Sequence, residues 1–330
     1  MSFKDVEGQD TAVNYLKKVI EKMAIPPTFI FSGPKGTGRK LSAITFTKAL
    51  NCKRASADSC DNCASCKAID ANIHPNMLIL DGNDKVIGID DVRKVINSSF
   101  IPIDEGIKVN IFDGLDNATE EAFNSMLKYF EEPPEKTVNI IIVENTDKLP
   151  ETVRSRSVEV KFRPLNSNIV RSLLLKNEIN EKLVDSLSRI SMGSMEQLKP
   201  YLKEEGLSKR NSLIKMTFRF IADECTACEL VEALQELYGK DISRENLSLY
   251  LEELLNVASD VLLVSLSKEP DRIINVDFLG YIADKFYTFD VKRVYKIFKI
   301  IEKCKNALLT NANPTYIMFY LIFGIKQVLR

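Results

Sequence analysis

Thr28-Phe29-Ile30-Phe31-Ser32-Gly33-Pro34-Lys35-Gly36-Thr37-Gly38-Arg39-Lys40 is the stretch that decides the fold. Thr28 to Phe31 read as a short buried strand, Ser32 to Gly38 as a glycine-rich turn, and Leu41 to Leu50 as a helix. Strand, glycine loop and helix in that order form the setting of a P-loop, where backbone N–H groups curl around a phosphate at a helix N-terminus. Gly33 to Lys40 overlay the pattern G-x-x-x-x-G-K-[ST]. Gly33, Gly36 and Gly38 fit the cradle. Arg39 stands where the phosphate-bridging lysine belongs, and Lys40 where a hydroxyl should hold Mg²⁺. Arginine keeps the charge but presents a bulkier planar fork. Lysine offers no oxygen and brings a positive charge toward a metal seat.

On the N-terminal side of this stretch, Val13, Leu16, Val19, Ile20 and Met23 recur at helical spacing until Pro26-Pro27 ends the helix. On the C-terminal side, Met77–Leu80, Val109–Asp113, Val138–Val143 and Val158–Phe162 read as strands. Helices at Ile89–Ser98 and Thr119 to about Glu132 separate them, the second stopped by Pro133-Pro134. Alternating strands and helices with apolar runs predict a parallel, doubly wound α/β sheet. Asp113, ending the third strand, is a candidate Mg²⁺ ligand. The following position, where a second acid would activate water, holds Gly114, and only Asp116 could stand in for it. Past Pro164 the strand signal ends. Residues 164–207 read as a small helical unit broken at Gly193-Ser194, and 208–330 as helical throughout, with Leu247, Leu251, Leu254, Leu255, Ala258, Val261 and Leu262 marking the period. The expected domains are therefore 1–163, 164–207 and 208–330.

Four of the seven cysteines, Cys52, Cys60, Cys63 and Cys66, lie in the pattern C-x7-C-x2-C-x2-C. That spacing lets thiolates converge on one tetrahedral ion about 2.3 Å away, and four of them leave no open position for water. One structural Zn²⁺ per chain is the expectation. The polar residues between the first and third cysteines cannot build an apolar core, so a metal would supply the missing stabilisation. His74 reads as a loop residue before Pro75 rather than a ligand. Cys225-Thr226-Ala227-Cys228 and Cys304 fall in helical stretches and read as packing.

Lys and Arg number 45 against 46 Asp and Glu, so no global positive field drives the chain onto DNA, and a nucleic-acid role must be local or shared with partners. Met1 to Glu7 carry acids early and lack the apolar region of a signal peptide. The apolar run Tyr316 to Ile325 is about half the length of a membrane span. A cytoplasmic protein with reduced thiols is expected.

Taken together, these motifs resemble the bacterial DNA polymerase III clamp-loader AAA+ subunits over nearly the whole length. Val6-Glu7-Gly8-Gln9 is similar to the family's N-terminal motif beside the adenine pocket, and the cysteine module follows the P-loop helix as in the family. Asn124 to Pro134 resembles N-A-L-L-K-x-L-E-E-P-P, Leu149 to Ser157 resembles L-P-x-T-I-x-S-R-C, and Asn311-Ala312-Asn313-Pro314 resembles the N-x-N-P of the collar domain. The resemblance implies an AAA+ P-loop domain with an inserted zinc module, a helical lid and an all-α collar for oligomerisation. It implies that Arg156 reaches across an interface to ATP on an adjacent subunit. The departures are Arg39, Lys40, Gly114, Glu196 at the lid's sensor-arginine position, Glu144-Asn145 at the first sensor, and Ser157 in place of cysteine. Lost chemistry on the ATP side with an intact Arg156 points to the delta-prime type. Such a chain, within the polymerase III holoenzyme, would not use ATP/Mg²⁺ itself. Its partners would be gamma/tau and delta subunits in a hetero-oligomer, with the sliding clamp and primed DNA reached through the assembly, at the nucleoid and not at a membrane.

Three other readings compete. An active gamma/tau-type ATPase needs the residues that Arg39, Lys40 and Gly114 replace. A small-molecule P-loop kinase leaves the cysteines and the helical C-terminal third unexplained. A zinc-dependent DNA-binding module would use Lys48, Lys53, Arg54 and Lys67, which Asp58 and Asp61 offset.

Overall fold

The computed structural model describes residues 1–330 except 55, 56, 84, 85, 104, 116, 117, 203, 267–271 and 311, and except the side chains of 182, 204 and 205. Asp116 and Asn311 therefore lie outside the described residues.

In chain order the elements are α1 (Asp10–Glu21), β1 (Thr28–Ser32), α2 (Arg39–Asn51), α3 (Ala64–Asp70), β2 (Met77–Asp81), α4 (Ile89–Ser99), β3 (Lys108–Asp113), α5 (Glu120–Glu131), β4 (Thr137–Val143), α6 (Glu151–Arg154), β5 (Val158–Lys161), α7 (Ser167–Lys176), α8 (Glu181–Ile190), α9 (Met195–Leu198), α10 (Glu204–Ile221), α11 (Ala227–Tyr238), α12 (Arg244–Leu266), α13 (Leu279–Phe286), α14 (Val291–Leu308) and α15 (Pro314–Leu329). The five strands form one sheet in the order β2-β3-β4-β1-β5, every pairing parallel. Parallel pairing requires crossovers, which the helices between strands provide. The five predicted strands are present. The periodicity missed α3, inside the cysteine module, and α6, a single turn after Pro150.

Chain contacts divide the molecule into two compact units, Met1–Val170 with Met192–Glu196, and Arg171–Ser191 with Gln197–Arg330. In the first unit every residue of β1, β3 and β4 is buried, as strands covered on both faces must be. Strand alternation then sends Phe29 and Phe31 to one core with Leu16, Phe46, Ile111 and Ile140. Ile30 goes to the opposite core with Phe112, Met126, Phe130 and Ile141. Phe29 meets Phe46 edge-on at 5.3 Å between centroids, and Phe112 meets Phe130 likewise at 5.1 Å. Each such ring contributes about 1.5–3 kcal/mol through burial, and the pairs fix the helices carrying the loop residues against the sheet. Thr119 caps α5 by accepting from the Ala122 N–H, and Ala122, Met126, Tyr129 and Phe130 face inward.

The second unit is helical, and its core gathers Phe218, Phe220, Tyr250, Leu251, Phe286, Ile301 and Leu321. A buried polar hub runs through it. The Arg210 guanidinium donates from Nε and Nη2 to both Glu253 oxygens at 2.7 and 2.6 Å, and from Nη2 to Asn275 Oδ1 at 2.7 Å. Asn275 Nδ2 donates to Asp260 at 2.7 Å, and the Tyr201 hydroxyl donates to Glu253 at 2.7 Å. Burial pushes the Asp260 carboxyl up, partly offset by backbone N–H donors from Ile274 and Asn275. Among the described residues no helix is long and apolar enough to cross a membrane.

Candidate functional site

Parallel strands deliver their C-terminal ends to one edge of the sheet, where the glycine loop also lies. Asp81 ends β2, Asp113 ends β3, and the two are register partners. Lys40, in the first turn of α2, sets its ammonium on both. Its Nζ donates to Asp81 Oδ2 and lies 3.2 Å from Asp113 Oδ2. Burial alone would lower the Lys40 pKa, but the Asp81 hydrogen bond and the Asp113 and Asp81 charges carry it above the ordinary lysine value. Burial would raise the Asp81 carboxyl, and the Lys40 hydrogen bond with two donors from Asn83 holds it below its ordinary value.

Arg39 turns into the sheet. It is buried, and Nη1 donates to the Val143 carbonyl at the end of β4 over 2.5 Å. Gly33 donates its N–H to the same carbonyl, and Gly38 is the N-cap residue of α2, without a side chain to cap it. Gly36 has φ +70°, and a Cβ there would come within 2.3 Å of the Glu196 nitrogen. Ser194 and the first residues of α9 lie across the loop, with Met195 N–H donating to Gly36 O at 3.1 Å and Ser194 Oγ to Lys35 O at 2.8 Å. Gln9 fastens the other side, donating to Thr37 O and Arg163 O and accepting from Arg163 N–H. At the loop's mouth Lys35 faces Glu144 at 3.6 Å.

Gly114 also has a physical cause. Its φ is +81°, and a Cβ there would lie 2.9 Å from the Gly82 carbonyl carbon and 3.0 Å from Asn83 N. A Cβ on Gly82 would in turn meet Gly114 O at 2.7 Å. Two Asp-Gly strand ends are folded against each other, so no acid side chain fits after Asp113. Asp81 was missed in the sequence, although the repeated apolar-run-Asp-Gly signature at 77–82 and 109–114 was the available signal.

Arg156 follows α6 and precedes β5, the edge strand. It is half exposed, donating to Thr152 O at 3.1 Å and lying 3.5 Å from Glu131 Oε1. The guanidinium is thus tethered by the last residue of α5 and still reaches solvent. Ser157, in the cysteine position of the S-R-C pattern, donates to Val153 O at 2.7 Å.

The cysteine module begins where α2 ends. No disulfide joins any of the seven cysteines, and the Sγ atoms of Cys52, Cys60, Cys63 and Cys66 all lie within 4.8 Å of one another. A tetrahedron of thiolates around Zn²⁺ has edges of about 3.8 Å, and Cys60 and Cys66 are 4.0 Å apart, so the donor set fits that ion with a small contraction. N–H groups of Cys60, Cys63 and Cys66 point at the sulfurs of Cys52, Cys60 and Cys63, each at 3.4 Å. The Cys66 N–H is the main cause drawing the Cys63 thiol down to about 6, whereas burial pushes Cys66 up to about 12. His74 turns elsewhere, Nε2 to Ser65 Oγ at 2.9 Å and Nδ1 accepting from Asn76 N–H at 3.1 Å. Lys48, fully buried, holds the module to α2 by donating to Asp61 at 2.6 Å, Asp70 at 2.7 Å and Met1 O at 2.5 Å. Lys53 pairs with Glu105. Two of the four basic side chains flanking the cluster are therefore neutralised within the fold. Cys225 and Cys304 are buried in the second unit, and Cys228 is exposed.

Residues 8–166 match the family described as DNA polymerase III, delta subunit. The chain is 24% identical over 339 aligned residues to Bacillus subtilis DNA polymerase III subunit delta', covering 99% of both chains. It is 28% identical over 291 residues to Bacillus subtilis subunit tau, covering 86% of this chain but only 49% of that relative, so it spans about half the length of the tau protein. The solved structure of a gamma subunit-related protein from Thermotoga maritima is 17% identical and aligns over 96% of this chain and 99% of its own, with a TM-score of 0.47.

Proposed function

The chain belongs to the bacterial DNA polymerase III clamp-loader AAA+ subunits and is a homologue of delta-prime, and from that premise we propose that it works in the loader without hydrolysing ATP itself. It would help ATP-bound gamma/tau partners place the sliding clamp on primed DNA. The observation that carries this reading is the Lys40 ammonium seated on Asp81 and Asp113, where Mg²⁺ would need oxygen ligands. Arg39, turned into the sheet, removes the phosphate-bridging cation. Gly114 leaves the attacking water without a base, and Glu196 lies at the start of α9, against Gly36 of the glycine loop.

Arg156 supplies the opposite function. On an exposed turn, tethered by Thr152 and Glu131, it can leave Glu131 for a neighbour's developing phosphate charge. A guanidinium delivered in trans accelerates such hydrolysis about 10³–10⁵-fold. Residues 164–207 would act as the lid and 208–330 as the collar. Tyr316, Tyr320 and Phe323 form an exposed row at i, i+4 and i+7 on α15, a surface of the kind that packs against other subunits. Cys52, Cys60, Cys63 and Cys66 would hold one structural Zn²⁺, which would stabilise the polar loop between them.

Two measurements test the reading. The purified chain, incubated with labelled ATP and Mg²⁺, should show no turnover above background, and steady hydrolysis would refute the proposal in favour of a gamma/tau-type ATPase. R156A, mixed with partner subunits, should assemble normally and depress their DNA-stimulated ATPase. Unchanged ATPase would remove the arginine from the mechanism.

A further inference from the structure

We propose that Lys40 and Asp81 form a built-in counter-ion lock: a tethered ammonium takes the place of a divalent cation, fastens α2 to the ends of β2 and β3, and excludes metal from Asp113. The inference rests on the reading that this loop does not hold magnesium nucleotide, and it goes further by giving the arrangement an active role. By sequence, Lys40 is a lost hydroxyl that brings a positive charge toward a metal seat. In the fold, its side chain is the cation that two register-paired carboxylates require.

The geometry supports the lock from four sides. Asp113 is almost buried, its side chain 10% exposed, so its charge needs a partner. Asp81 is held in place by Asn83, whose N–H and Nδ2 both donate to Oδ1, leaving Oδ2 for Lys40. Gly82 N–H donates to Asp113 O at 2.7 Å, and Asp81 and Asp113 are register partners, so the main chain holds the two carboxylates side by side against their repulsion. Lys40 itself is pinned at its backbone, because it lies in the first turn of α2. Hard divalent cations bind such carboxylates through oxygen. An ammonium on a fixed backbone competes at very high effective concentration, and magnesium from solution must displace it. Asp81 is therefore a positioning residue that keeps Lys40 over Asp113, and the phosphate-loop helix stays docked with no nucleotide bound.

Mn²⁺ alone is the probe. The wild-type chain should show no Mn²⁺ binding by paramagnetic titration up to about 1 mM, a range in which weak carboxylate sites fill. K40S, shown by circular dichroism to be folded, should bind Mn²⁺ at least about tenfold more tightly, and K40S/D81N should lose that gain. Equal binding by wild type and K40S would overturn the lock. So would a folded K40S with no gain. Should K40S fail to fold, D81N serves alone. In D81N, amide exchange at Ser42, whose N–H donates to Gly38 O at 2.8 Å, should quicken by about tenfold, the factor that a charge-assisted hydrogen bond carries, and unchanged exchange would overturn the proposal. Magnesium-ATP hydrolysis by the wild type would instead mark failure of the underlying reading, independently of these results.

Discussion

Replacing Lys48 with methionine tests how the cysteine module is joined to the sheet. Methionine keeps most of the stem's volume and deletes the ammonium. The side chain is fully buried, and Nζ donates to Asp61, Asp70 and the Met1 carbonyl at 2.5–2.7 Å. A hydrogen bond to a charged group is worth about 1.5–3 kcal/mol when desolvated. Asp61 and Asp70 are 38% and 31% exposed, however, and solvent screening brings exposed pairs down to about 0.2–1 kcal/mol each. With the buried donor and the half-exposed acceptors weighed together, K48M should destabilise the first unit by about 2–3 kcal/mol. At roughly 2–4 °C per kcal/mol for a unit of this size, melting should fall by about 5–10 °C. Because Asp61 lies between Cys60 and Cys63, metal transfer to a chromogenic chelator should also quicken. K53M is the control, since the Lys53–Glu105 pair is 69% and 76% exposed and should change stability by less than about 1 kcal/mol. A K48M melt within 2 °C of wild type with unchanged chelation would refute the assignment of Lys48 as the anchor.

Elemental analysis of chain purified under reducing conditions should find one zinc per chain, and C66S should lose it, since four thiolates close the shell. E253Q should cost about 3–5 kcal/mol in denaturant unfolding, because Arg210 would keep a buried charge without its paired carboxylate. The stability difference between wild type and D81N should be flat from about pH 5 to 9. Asp81 has a depressed folded-state pKa, so its contribution is present above the ordinary aspartate value of about 4 and fades as pH falls below it. Lys40 has a raised one, so its contribution is present below about 10.4 and fades as pH rises past its folded value. A difference growing in acid would contradict the Lys40–Asp81 pairing.

The sheet was legible because its strands are apolar runs bounded by turn residues, and β1, β3 and β4 are buried on both faces. The glycine turn between β1 and α2 and the convergence of the cysteine quartet were legible because each follows a fixed short spacing. Three things were not. Asp81 acquires its role through a register partnership 32 positions away, which no local pattern encodes. Lys48 read as one more surface cation, because nothing in its helix announces that Asp61 and Asp70 close over it. The α3 helix hides in a segment whose polar composition and cysteine spacing read as loop, although Cys63 accepts from Cys66 N–H as its cap. Long-range electrostatic partners are fixed by topology, and periodicity reports only local exposure.

The back-to-back glycines at 82 and 114 bear on how this chain can change over time. A lost lysine or hydroxyl in a phosphate loop can return by altering one codon, since space remains for it. An acid after Asp113 cannot return that way, because the first extra carbon meets main chain and both strand ends would have to shift in concert. On the proposed reading, inactivity would be held by backbone shape as well as by side-chain identity, and the protomer would stay a durable non-turning member of the assembly it joins.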